Sequence, residues 1–152
     1  MHDIQELEKW ATDLLTQLTP KARKQLAQQI AITLRQKQQK RIAAQQSPDG
    51  QAFIPRKAQI RKRIGRIKKR TTMFPKIRQA RYLKVQSSAN SAVISFTKEV
   101  QRIAQVHHFG LRDRVNRYGL TVRYPCRPLL GFADEDKTLI ADLVITHLSA
   151  KK

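Results

Sequence analysis

Tyr82-Leu83-Lys84-Val85-Gln86 and Ala92-Val93-Ile94-Ser95-Phe96-Thr97 flank the small polar stretch Ser87-Ser88-Ala89-Asn90. Apolar residues recur at every second position on both sides, and the connection is made of turn formers. That pattern predicts a β-hairpin. It also marks a change of period, because the chain's first two segments repeat at helical spacing. Ile4, Leu7, Trp10 or Ala11, Leu14, Leu15 and Leu18 line up on one helical face. Asp3 stands as N-cap with Glu6 in capping-box spacing. Thr19-Pro20 then supplies a second start, Thr as cap and Pro at the first helical position. From there Ala22, Leu26, Ile30, Leu34 and Ile42 form a narrow stripe among Lys, Arg and Gln. The spacing predicts a long helix from about Pro20 to Ala44, with one neighbour to pack against.

Ser47-Pro48-Asp49-Gly50 ends that helix in a turn, where Pro presets φ and Gly supplies a positive one. Phe53, Ile54 and Pro55 read as a short apolar anchor. Beyond the hairpin, a helix is predicted at about Lys98 to His107, ending before Gly110. Arg112 to Gly119 reads as a polar, basic loop, and Leu120 to Tyr124 as a strand stopped by Pro125. Ala133-Asp134-Glu135-Asp136 opens a last helix whose acids favour its dipole. Leu139, Ile140, Leu143, Val144 and Leu148 give that helix an apolar face. Helices come first, then strands and helices mixed, with no regular βαβ alternation. The class is α+β: N-terminal helices, a basic arm, then a small antiparallel sheet with helices packed on it. Residues 1–46 form the helical segment, 47–81 the turn and basic arm, and 82–152 the α+β core. The length suits one domain overall.

Charge is strongly segregated. The 152 residues carry 31 Lys and Arg against 11 Asp and Glu, a net charge of +20. From Leu14 to Lys98 the only acid is Asp49, facing twenty-one Lys and Arg. A one-signed surface repels itself, so a chain that keeps one has a polyanion or an acidic partner nearby. Arg61, Lys62, Arg63, Arg66, Lys68, Lys69, Arg70, Lys76, Arg78 and Arg81 make up the basic tract. Gly65 interrupts it and Pro75 forbids one long helix. A partly ordered loop is expected, then a short helix near Pro75 to Arg81. Phe74 and Tyr82 are its only rings, so stacking on single strands is poorly supported. Phosphate contact without sequence preference, or a subunit-contact surface, both fit it. Acids gather at the chain's ends (Asp3, Glu6, Glu8 and Asp13; Asp134, Glu135, Asp136 and Asp142), which invites head-to-tail contact between copies.

Little in the chain points to catalysis. His107 and His108 are adjacent and so face different ways, which disfavours a shared metal. His2 and His147 have no partner at ligand spacing. Cys126 is read as a small buried hydrophobe beside Pro125, rather than a nucleophile. It cannot form an internal disulfide, being alone. No Gly-rich phosphate loop or nucleophile elbow occurs. No catalytic, cofactor or metal site is expected, and the chain is not expected to be an enzyme. No apolar run approaches the roughly 20 residues of a membrane span, and no secretory leader is legible.

Two further stretches carry a resemblance. Ile103-Ala104-Gln105-Val106-His107-His108-Phe109-Gly110 is followed at a distance by Tyr124-Pro125-Cys126-Arg127-Pro128-Leu129-Leu130-Gly131-Phe132 and the acidic helix start. Upstream stand Ser47-Pro48-Asp49-Gly50 and Phe53, then Lys69 to Lys84. This order, covering about Gln38 to Leu148, resembles the phage virion morphogenesis family, the tail-completion proteins of contractile-tailed temperate bacteriophages. Phe53 stands where Trp is expected, and an aromatic anchor is kept. The resemblance implies a structural role late in tail assembly, at the head-proximal end, making the tail competent to join the head. Related tail-end proteins form rings, and the reading adopted is a homo-oligomeric ring with the hairpin and strands forming the shared sheet. Its partners would be the tail tube, tail-terminator and head-connector proteins, with no membrane; non-specific DNA contact is expected from the basic tract, on the inner wall of a ring whose lumen passes DNA. The protein would reside in the virion tail, and in host cytoplasm during assembly. No catalytic residues are implied. Within the motif, Gly110 and Gly131 permit turns, while Pro125 and Pro128 stiffen the loop before the last helix. Arg127 is expected to reach a carboxylate, Asp134 or an acid of a neighbouring subunit. His107 is expected to bond that loop. With Pro48, Asp49 and Gly50, these residues serve either as intrachain scaffold or as subunit contact. The alternative function is that of a small basic nucleic-acid-binding accessory protein.

Overall fold

A computed structural model describes residues 2–55 and 72–149. In chain order the elements are α1 (His2–Thr16), α2 (Pro20–Ala43), β1 (Leu83–Ser87), β2 (Ala92–Phe96), α3 (Lys98–Phe109), β3 (Arg112–Arg114), β4 (Thr121–Arg123) and α4 (Asp134–Ser149). The α+β class is therefore observed. The strands divide into two two-stranded ladders, β1–β2 and β3–β4.

α2 starts as the sequence directs. The Thr19 hydroxyl accepts from the Ala22 N–H at 3.2 Å, which is N-cap geometry. Its buried stripe runs Ala22, Leu26, Ala31, Leu34, Gln38 and Ile42. Gln38 fills the gap that the apolar pattern leaves between Leu34 and Ile42. The helix stops before the Ser47–Gly50 turn, through Gln45 in the left-handed region at φ 59°. The Gln45 and Gln46 N–H groups donate back to the Ile42 and Arg41 carbonyls. That is a Schellman cap, built here without glycine.

The contacts group the chain into two compact units. One comprises residues 1–35, 85–95 and 132–152. Within it α1 packs against α4, and Ala22, Leu26, Ala31, Leu34 and Val144 are buried. α4 is capped by its own acid: Asp136, fully buried, accepts from the Ala133 N–H at 2.9 Å. This is the reach-back half of a capping box.

The other unit comprises residues 36–84 and 96–131. Its core is Ile42, Phe53, Met73, Phe74, Ile77, Val100, Ala104 and Leu129, with Tyr82, Phe96 and Leu130 packed on it. Phe53 anchors the segment alone, because Ile54 and Pro55 are exposed.

Three local expectations are corrected. Residues 75–82 form successive turns rather than a short helix. Phe74 holds φ 64° just before Pro75, and the Gln79 and Tyr82 N–H groups donate three residues back, to Lys76 and Gln79. Arg112–Gly119 is not a plain loop: its first three residues are β3, paired antiparallel with β4 in the register Arg112↔Arg123, Asp113↔Val122, Arg114↔Thr121. The turn is closed by Asn116, whose Oδ1 accepts from Tyr118 and Leu120, and by Gly119 at φ 87°. Cys126 is exposed rather than buried.

Candidate functional site

The loop 124–131 is the centre of the second unit's polar contacts, and most of the motif residues meet on it. α3 ends at Gly110, which adopts φ 65° and ψ 49° and sends its N–H to the Val106 carbonyl. A Cβ at Gly110 would lie 3.0 Å from the Cys126 nitrogen and 3.1 Å from its Cα. Only glycine lets the loop pass so close to the helix end. The loop's other end is fixed in the same way. A Cβ on Gly131 would lie 2.9 Å from Pro48 Cγ, and the Gly131 carbonyl accepts Gln38 Nε2 at 2.7 Å. Two motif pieces far apart in sequence, the Pro48 turn and the Gly131 loop, therefore touch.

Between these anchors lies Arg127, only 4% exposed. Its Nε donates to the Ile54 carbonyl at 2.7 Å, Nη2 to Pro55 at 3.4 Å, and Nη1 lies 3.2 Å from His107 Nδ1. Its main-chain N–H donates to the His107 carbonyl at 2.7 Å. Arginine has no acceptor, so His107 Nδ1 accepts. Main-chain carbonyls, rather than the carboxylate expected for Arg127, accept from its Nε and Nη2. His107 bonds the loop as expected. Its ring is edge-on to Phe74 at 5.0 Å and tilted against Tyr124 at 4.7 Å. Ile54, Pro55, Met73, His107, Tyr124 and Arg127 border a cavity of about 410 Å³.

The other motif residues are placed more simply. Asp49 and Gly50 are exposed at the turn, where Gly50 holds φ 88°. The Asp49 carboxylate takes hydrogen bonds from the Ser47 hydroxyl and the Gln51 N–H, which hold it below its ordinary range. Pro125 and Pro128 are half-buried in the loop. Of the basic tract, Arg61, Lys62, Arg63, Arg66, Lys68, Lys69 and Arg70 lie outside the described residues. Lys76 and Arg81 are exposed and Arg78 half-buried. The Arg81 guanidinium sits 5.3 Å from the Tyr82 ring centroid.

Sequence reasoning missed three side chains that hold this region. Gln45 clamps the Met73 main chain, donating to its carbonyl at 2.9 Å and accepting from its N–H at 2.7 Å. Gln38 is the second, and its place four residues from both Leu34 and Ile42 was the available signal. His108 is the third: its Nδ1 accepts from the Leu129 N–H at 3.1 Å.

Burial pushes the His108 imidazole below its ordinary value of 6.5. The unfolded chain thus takes up this proton more readily than the native one. The contribution is intact above pH 6.5 and is lost as pH falls from there through the lowered native value. The urea midpoint should drop across that window, and less so in His108→Gln, which keeps an acceptor without titrating. An equal drop in both proteins would remove His108 from the account.

Chemically the cluster is a brace. The Cys126 thiol bonds the His108 main-chain oxygen at 3.2 Å, not an imidazole nitrogen. Among the described residues no group of His, Cys, Asp and Glu could hold a metal ion. No helix among them is long and apolar enough to cross a membrane.

The phage virion morphogenesis family model matches residues 2–149, and the chain belongs to that family. One relative is tail completion protein S of Escherichia phage P2, 38% identical over 150 residues, spanning 97% of this chain and 99% of the relative. No solved structure matches the chain significantly.

Proposed function

We propose that this protein is a structural component of phage tail assembly that completes the tail at its head-proximal end and enables head–tail joining. One observation carries the reading: similarity to a tail completion protein runs through nearly the whole length of both chains. The core described above suits the role, since its motif residues brace a loop instead of forming a reactive centre. The protein acts without catalysis, as a homo-oligomeric ring. Its neighbours are the tail tube, the tail-terminator and the head-connector proteins. It is made in host cytoplasm and ends in the virion tail.

A closed ring needs heterologous contacts, one surface of a subunit meeting a different surface of the next. α1 offers exposed Glu6, Glu8 and Asp13, and the chain's middle offers the cations that acids seek. Local pairs of this kind must overcome the general repulsion between copies at +20 each.

Electron microscopy of lysates from phage lacking this protein tests the role. Filled heads and unattached tails with altered head-proximal ends are expected. Normally joined, infectious particles would overturn it. Native mass spectrometry of the purified chain should give one discrete oligomer, and a monomer at all concentrations would remove the ring.

A further inference from the structure

The β3–β4 ribbon carries three arginines on a single face. In an antiparallel pair, residues directly opposite share a face, and that face alternates along each strand. The register Arg112↔Arg123 and Arg114↔Thr121 therefore puts Arg112, Arg114 and Arg123 together, all exposed. Their Cα atoms lie within about 8 Å of one another. Asp113, the ribbon's acid, pairs with Val122 and so points to the opposite face. There its carboxylate is taken by Arg102 of α3 and by the Arg114 main-chain N–H. Val115, Val122 and Tyr124 border the cavity beside the core, and Arg123 borders it too. At the ribbon's tip Arg117 lies 5.3 Å from the Tyr118 ring centroid, and Tyr118 is 81% exposed.

Like charges directly opposite destabilise a ladder. Arg112 facing Arg123 is thus a local cost to the fold, and it is offset when an anion covers both. The ligand must be anionic, extended and tolerant of a net charge of +20 on the protein. A second copy meets the first demand only locally, through the few acids of its helices. Duplex DNA meets all three, with one phosphate charge per roughly 1.7 Å of axis.

We propose that the Arg112–Arg114–Arg123 face binds the phosphate backbone of duplex DNA without sequence preference. These residues lie outside the basic tract at 61–81 in the sequence. The inference stands on the ribbon's register and does not depend on the tail-assembly reading.

The test is fluorescence anisotropy with a short labelled duplex at several salt concentrations, on the full chain. The probe variant is the triple Arg112→Gln, Arg114→Gln, Arg123→Gln. The control is Lys21→Gln, Lys24→Gln, Lys98→Gln, which removes the same charge from exposed helical positions. Each phosphate that the protein no longer neutralises lowers the slope of log K against log salt by about 0.9. The triple arginine variant should therefore flatten the slope by up to about 2.7, equally for duplexes of different sequence. The lysine control should change it by much less. Circular dichroism and urea titration should show the arginine variant at least as stable as the parent, because like-charge opposition is relieved. Three results would overturn the proposal: an unchanged slope, an equal change in the lysine control, or unchanged DNA binding with a loss of oligomer. The last would make this face a subunit contact.

Discussion

Arg127→Met should lower the unfolding free energy by roughly 3 kcal/mol or more, the sum of charged hydrogen bonds at ~1.5–3 kcal/mol each less the regained desolvation. Methionine fills much of the same space and tolerates irregular packing. What it removes is a donor set. The Ile54 carbonyl, the Pro55 carbonyl and His107 Nδ1 lose a guanidinium partner that is itself buried. Replacing a buried ion by an apolar residue can stabilise a protein when both partners are changed together. Here two of the three acceptors are main-chain carbonyls and cannot be changed with it. Arg127→Lys should rescue little, since one ammonium cannot serve acceptors spread around a planar fork. Urea unfolding followed by circular dichroism measures the loss. A change under about 1 kcal/mol, the range of an ordinary single hydrogen bond, would show that the guanidinium braces nothing. Asp134→Asn, which tests the carboxylate pairing first expected for Arg127, should be near neutral by comparison.

How far the chain could be read depends on where each instruction resides. The helices were legible because their signals are local. Thr19-Pro20 sets the start of α2, Gly110 ends α3, and Ala133–Asp136 opens α4 with a side chain that caps its own first turn. The β1–β2 hairpin was legible for the same reason, through alternation and a polar connection. β3 was not, because Arg112-Asp113-Arg114 alternates charge with charge instead of apolar with polar. Its pairing is directed by the Asn116 side chain and Gly119 at the turn. The helix expected after Pro75 failed through tertiary packing. Phe74 is held at φ 64° between the rings of Phe53 and His107, 5.6 and 5.0 Å away. That strain, of order 1–3 kcal/mol, persists only where surroundings over-determine it. Arg127 shows the same limit from the other side. Pro125-Cys126-Arg127-Pro128 announces a stiff loop, but nothing local reveals that Ile54 and Pro55 will bring carbonyls to it. Cys126 was misjudged for a related reason: Gly110 claims its main chain while the residue stays exposed.

Gly110→Ala should destabilise by about 2–3 kcal/mol, more than its backbone conformation alone requires. Two effects add at this position. A left-handed residue with a Cβ costs roughly 1–2 kcal/mol. The new methyl would also sit 3.0–3.1 Å from the Cys126 N, Cα and Cβ, and main chain cannot swing aside as a side-chain tip can. Gly119 separates the two effects. It holds φ 87°, and a Cβ there would meet nothing within 4 Å. Gly119→Ala therefore reports the conformational cost alone, about 1 kcal/mol. The excess in Gly110→Ala is the cost of pushing the loop off the helix end. Gly110→Asn sharpens the comparison, because Asn tolerates the left-handed region yet still carries a Cβ. It should recover part of the conformational cost and none of the steric one. Because Arg127 follows Cys126 directly, displacing the loop should also disturb the His107 contact, so Gly110→Ala and Arg127→Met should be less than additive in a double-mutant cycle. If Gly110→Ala and Gly119→Ala cost the same, the close approach of loop to helix carries no energy, and the brace around Arg127 must be held by its hydrogen bonds alone.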